Sequence, residues 1–164
     1  MRANLVAPGL SLDHIIWSEV PRDFTLCLNF AHLVCPISDG VVCLDNHRFD
    51  FLREVFKPGT ALHCFCPLPE NEDAFSIHKI KLEKHTWASF SASAALGHLG
   101  NLGYKTITLI GFDFFINEYR HAELLRQYYP DDEEISDYWK ARIRAEIADV
   151  VKYYDLEIIQ WNKK

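Results

Sequence analysis

Apolar and polar positions along this chain fall into short blocks whose period switches back and forth. Residues 4–7 (NLVA) form an apolar run that ends at Pro8-Gly9, and similar runs recur at 25–29 (TLCLN), 41–45 (VVCLD) and 61–66 (ALHCFC). Each is too short for a helix and stops at a polar or turn-forming residue, which is the pattern of a buried strand. Between them the spacing lengthens. Ser11 stands before LDHIIW as a helix cap, and residues 48–56 (RFDFLREVF) return apolar groups at helical spacing until Pro58-Gly59.

Residues 91–115 (SASAALGHLGNLGYKTITLIGFDFF) carry the clearest unit. Ala92, Ala94, Ala95, Gly97 and Gly100 leave one side of a predicted helix almost without bulk, so it can lie close to a sheet. Gly103 is a natural left-handed cap, and the strand TITLIG follows and ends just before Asp113. A long amphipathic helix over about 135–154 and a final strand at 156–161 close the chain. Strands alternating with helices predict an α/β fold: a single Rossmann-like layered domain over 1–164, with a mainly parallel sheet and helices on both faces. Segments 67–78 and 114–134 read as mobile loops, the first acidic and proline-containing.

Composition narrows the function classes. With 164 residues, 49% of them hydrophobic, the chain has material for one core. A formal charge of −6 with scattered Lys and Arg offers no cationic track for a phosphate backbone, so no nucleic-acid partner is expected. Residues 1–12 contain no signal-peptide core, and no apolar run is long enough for a membrane helix, so a cytoplasmic protein without a transmembrane segment is expected. Five cysteines without a CxxC pair read as buried thiols, and eight histidines without ligand spacing predict neither a metal site nor a cofactor.

In a parallel sheet, residues just past the strands collect along one edge, where such folds bind ligands. Here these are Gly9 and Ser11, Asn29, Asn46, Ser91 and Ser93, and Asp113. A glycine turn before a Ser offers amides and a hydroxyl to an anion, and Asn offers donor and acceptor to a ribose or base edge. The competing use of each is an ordinary turn or helix cap. Beyond Asp113, Tyr119, Arg120, His121, Tyr128 and Tyr129 supply groups that could close on a phosphate, with His as acid or base near neutral pH. The competing reading is an interface or surface loop, and Tyr138 and Trp139 make a homo-oligomer possible.

Three blocks resemble the small bacterial sialyltransferases of glycosyltransferase family 42, which share a fold with motility-accessory and pterin-diphosphokinase-like proteins. Residues 9–24 (GLSLDHIIWSEVPRDF) resemble the family's G-x-G-P-S-L turn, helix and lead-in to the second strand, with Asn29 close to a nucleotide-contacting Asn. In VVCLDNHRFDF, Asn46 falls where the family has another. LGYKTITLIGFDF is similar to the family's LGYK-x-I-x-L-x-G-x-D-F, and Ser91 aligns with its T-S-G nucleotide-binding turn.

The resemblance implies a CMP-sugar donor of sialic acid type, metal-free inverting transfer to a glycan or other acceptor hydroxyl, a His base and two Tyr residues on the departing phosphate. The chain differs in two places: its glycine turn reads Ala7-Pro8-Gly9-Leu10-Ser11, and Tyr138 stands where the family has its catalytic His. His121, Tyr119 and Asp113 are then the candidate catalytic residues. Two alternatives stay open: a nucleotide or nucleotide-sugar binding module without turnover, and a Mg-dependent diphosphotransferase using Asp45 and Asp113.

Overall fold

The computed structural model describes residues 1–43, 55, 61–64, 76–79, 90–113, 121–129 and 136–161. Seven strands form one sheet: β1 (Arg2–Val6), β2 (Phe24–Leu28), β3 (Gly40–Cys43), β4 (Ala61–Cys64), β5 (Ser76–Lys79), β6 (Thr106–Ile110) and β7 (Glu157–Gln160). Their order is β5-β4-β3-β2-β1-β6-β7, and every neighbouring pair is parallel. The chain steps outward from β1 to β5 on one side, then returns to β6 and β7 on the other. Progression therefore reverses beside β1, and the β1/β6 boundary is the switch point of the α/β fold.

Both faces are covered, which is why the central strands read as unbroken apolar runs. On one face Ala3, Leu5, Leu26, Leu28, Ile107 and Leu109 pack under α1 (Ser91–Asn101) and α2 (Asp137–Tyr154). On the other, Val6, Cys27, Val41 and Ile110 pack under 3-10 segments that contribute Leu12, Phe30, Ala31 and Leu125. The expected small-residue face of α1 has a definite neighbour: a Cβ on Gly100 would stand 2.5 Å from the ring of Tyr154 on α2. Ser93 joins the same helices, its hydroxyl 2.6 Å from Glu146 Oε1.

Helix ends follow local chemistry. Gly103 adopts φ 86 after α1, as its lack of a Cβ allows, and Tyr104 N–H donates to Leu99 O at 3.0 Å. Asp155 at φ 52 ends α2, donating to Val151 O, while Ser136 accepts from Trp139 N at the other end.

Some elements differ from their sequence expectation. The helix expected from Ser11 is a 3-10 turn (Leu10–His14) with Gly9 at its cap position; Ile15 has extended backbone, and the Ser11 amide bonds the Asp113 carboxylate. Asn29 is not the end of β2 but the first residue of a 3-10 helix (Asn29–Leu33), turned aside by its positive φ. The segment expected as a loop to residue 78 runs into β5 at Ser76, a four-residue edge strand without a period long enough to announce itself. Within 114–134, Glu123–Tyr128 form a 3-10 helix. The helix expected over 48–56 lies, apart from Val55, outside the described residues.

Candidate functional site

Two glycines bring the exits of β1 and β6 into contact. Gly9 N–H donates to Gly111 O at 3.1 Å, and Ala7 N–H to Ile110 O at 2.8 Å. A Cβ on Gly111, at φ 72, would lie 2.1 Å from Ala7 O, and one on Gly9 would lie 2.3 Å from Gly111 O and 2.5 Å from Asp113 Oδ2. No side chain fits at either position. The Asp113 carboxylate, buried at this junction, accepts the Ser11 N–H at 2.7 Å, across 102 residues of sequence.

The chain beyond β6 folds back onto this turn. His121 pairs with Gly9 in an antiparallel bridge, and Ala122 N–H donates to Pro8 O at 2.8 Å. Asp13 fixes the next turn: its two carboxylate oxygens accept Glu123 N–H at 2.7 Å and Leu124 N–H at 3.2 Å. The imidazole of His121 stacks on Tyr129 with centroids 3.5 Å apart and planes 7° from parallel. Tyr129 meets Phe30 edge-on at 5.3 Å, and Tyr128 stacks on Phe30 at 5.0 Å. Three rings, His121, Tyr129 and Phe30, thus run from Gly9 to the residue after Asn29, and Tyr128 adds a fourth on Phe30.

Asn29 is strained and unsatisfied. It holds φ 49 and is 8% exposed, and its Oδ1 is buried with no hydrogen-bond partner among the described residues. Its carbonyl oxygen lies 2.9 Å from His32 Nδ1. Since Val6 is level with Cys27, Asn29 stands two residues past that level, at the same sheet edge as Gly9. A buried amide oxygen without a donor costs about 1–3 kcal/mol, so a ligand N–H or O–H there would restore the lost bond.

Gly9, Ser11, Asp113 and His121 therefore meet directly, with Asn29 joined to them through Phe30 and Tyr129. Ser91 is the first residue of α1, after Phe90 at the cap position. The other end of α1 leads to Gly103 beside Met1 at the amino edge, so Ser91 lies toward the carboxyl edge with the others. Ser93 is fully buried and directed at α2 and the Phe90 carbonyl rather than at the edge. Asn46 and Tyr119 lie outside the described residues, as does Asp45.

The glycine turn has a different use from the anion cradle its sequence suggests. Both Gly9 and Ser11 amides are taken, and Asp113 sets a carboxylate where a phosphate would sit. Asp13 and Phe30 were not singled out by sequence: a lone Asp in a turn and a Phe after an Asn carry no periodic signal, and their partners are distant in the chain. Among the described residues no group of three or more His, Cys, Asp or Glu side chains is arranged to hold a metal, and no helix is long and apolar enough to cross a membrane. No family model, no curated protein and no solved structure matches the chain.

Proposed function

We propose that this protein binds a nucleotide-activated sugar of the CMP-sialic acid type at the carboxyl edge beside β1 and β6, and transfers the sugar to an acceptor hydroxyl. The observation that carries the reading is Asn29, whose buried Oδ1 lacks, among the described residues, the donor that a ribose hydroxyl or a base amino group would supply. Tyr128, half-buried and stacked on the fully buried Phe30, supplies flat apolar surface for a base. The phosphate goes to the amino end of α1 at Ser91, where the helix dipole favours an anion, rather than to the Gly9 turn with its carboxylate.

His121 is the general base of this proposal, held at Gly9 by the backbone bridge and flat against Tyr129. It takes the proton of the attacking hydroxyl as the sugar's anomeric carbon leaves the phosphate oxygen, which departs as CMP. Asp113 orients the turn through the Ser11 amide. A binding module without turnover is the second reading, favoured by one observation: Tyr129 covers one face of the His121 ring at 3.5 Å, which restricts the approach of an acceptor.

A thermal-shift panel of CMP, CMP-sialic acid, UMP, AMP and ATP, each with and without Mg²⁺, tests the reading. At a hundredfold its Kd a ligand adds about 2.7 kcal/mol. Stabilisation by the cytidine compounds without Mg²⁺, lost in Asn29→Ala, is the expected result; stabilisation only by ATP with Mg²⁺ would replace the reading with diphosphate transfer. CMP release from CMP-sialic acid that disappears in His121→Gln marks the enzyme, and binding without release marks the module.

A further inference from the structure

The sheet ends on β7, the strand outside β6. Its ladder is regular: Thr106 to Leu109 lie level with Glu157 to Gln160, and the Glu157 and Trp161 amides donate to Lys105 O and Leu109 O at 2.8 Å each. In a parallel ladder every second residue turns both its N–H and its C=O toward the neighbouring strand. Glu157, Ile159 and Trp161 therefore face β6, and the main-chain groups of Ile158 and Gln160 point out of the sheet. Such an edge pairs with another strand unless proline, lysine or a bulge blunts it. Glu157–Gln160 contains none of the three, and Ile158 and Ile159 are only half-buried.

The helix beside this edge leaves room for a neighbour. α1 rests over β1, β2 and β3, and Glu146 of α2 reaches toward it through Ser93, so the flank of α2 opposite Glu146 is turned toward the β7 edge. That flank carries Ala141, Arg144, Ala148 and Val151, of which the two alanines are exposed and Val151 is half-buried. Trp139, edge-on to Phe90 before α1, lies on the other flank.

We propose that β7 is a self-association edge: a second copy of this chain adds its own β7 antiparallel, about a two-fold axis at Ile159, and the two sheets become one. In that register Ile158 lies opposite the partner's Gln160 and Gln160 opposite the partner's Ile158. Both are hydrogen-bonded pairs, so every outward N–H and C=O of these residues finds a complement. Ile159 meets the partner's Ile159 as a non-hydrogen-bonded pair, with Cα atoms about 4.5 Å apart and side chains in contact. Glu157 falls opposite the partner's Trp161, so no like charges face each other. Centring the pairing on Ile158 instead would call on Leu156, whose N–H already goes to Val151 O at 2.9 Å. With alanines on its outer flank, α2 can take the partner's α2 alongside it on the same face of the joined sheet.

Sedimentation equilibrium of the full chain should show a reversible dimer of twice its 19.0 kDa mass. Gln160→Pro removes an N–H that points away from β6, a place where an edge strand tolerates proline, and should weaken the dimer at least about tenfold while the far-UV circular dichroism spectrum is retained. Ala148→Trp, on the exposed flank of α2, should weaken it without touching the strand. Oxidised with diamide, Ile159→Cys should yield a covalent dimer linked through that position in both copies, since Cα atoms about 4.5 Å apart are within disulfide reach, and Ile158→Cys should not. A monomer at every concentration up to the solubility limit, a dimer that either Gln160→Pro or Ala148→Trp leaves intact, or linkage of Ile158→Cys as complete as that of Ile159→Cys would each overturn the proposal. These readouts need no nucleotide, so their failure leaves the proposed function untouched.

Discussion

Replacing Asn29 with glycine should make the ligand-free protein more stable while removing its ligand affinity. The native residue holds φ 49 and buries an amide oxygen that no described group satisfies. Deleting that acceptor recovers about 1–3 kcal/mol. Glycine accepts the positive φ without a Cβ, but it enlarges the freedom of the unfolded chain, which returns about 0.5–1 kcal/mol. The net gain is about 1 kcal/mol, which for a chain of this length raises Tm by about 2–4 °C. Differential scanning calorimetry of both proteins without nucleotide measures the first half. The second half is read by adding CMP, which should raise Tm in the parent and leave Asn29→Gly unmoved. A fall in Tm of several degrees without nucleotide would refute the reasoning, because it would mean that the amide oxygen has a partner the fold depends on. Most losses of a binding residue come with neutral or reduced stability; opposite signs for stability and affinity are the signature of a side chain kept for a ligand.

Gly111→Ala should destabilise by more than about 3 kcal/mol, since φ 72 and a Cβ 2.1 Å from Ala7 O combine left-handed strain with a backbone clash; a urea-midpoint change worth under about 1 kcal/mol would contradict the packing of the two exits. Tyr104 gives a pH-dependent test: burial, and then the charge of Asp39, hold its phenol above the usual tyrosine value of 10.0. The folded chain therefore binds that proton more tightly than the unfolded chain, and this stabilisation, complete below about pH 10, is lost as pH rises through the folded value. Tyr104→Phe keeps the ring stacked 5.3 Å from Phe24 and should flatten the decline in urea midpoint between about pH 9 and 11; an equal decline in the variant would assign it to other groups.

How much of this was legible in the sequence depended on the range of the interactions. The TITLIG strand, the Gly103 cap and the long last helix follow from periodicity and one glycine, all within a few residues of each other, and each appears within about two residues of its expected bounds. The parallel sheet follows from alternation of strands and helices. The helix after Ser11 fails because its competitor is a carboxylate 102 residues away, and no local pattern carries that. Gly9 looked like an anion cradle for the same reason: a turn that must let another backbone approach and a turn that must let a phosphate approach both need glycine. Gathering Gly9, Ser11, Asn29 and Asp113 at one edge was readable from strand ends; the inward turn of Ser93 was not, because it depends on Glu146 from a helix that the sequence places but does not rotate.

The close seam between Gly100 and Tyr154, with the Ser93–Glu146 bond near its other end, makes α1 and α2 one slab on their face of the sheet. Among the described residues the opposite face is tiled by 3-10 segments of six residues or fewer, whose amides have few repeating partners, with the helical Val55 packed beside them. Among the described residues the two faces therefore differ in stiffness, with slower amide-deuterium exchange expected in the slab than in the tiles. Asn29 lies within the tiles and His121 at their margin, so any tightening around a guest is drawn from the compliant half while the stiff half serves as the anvil.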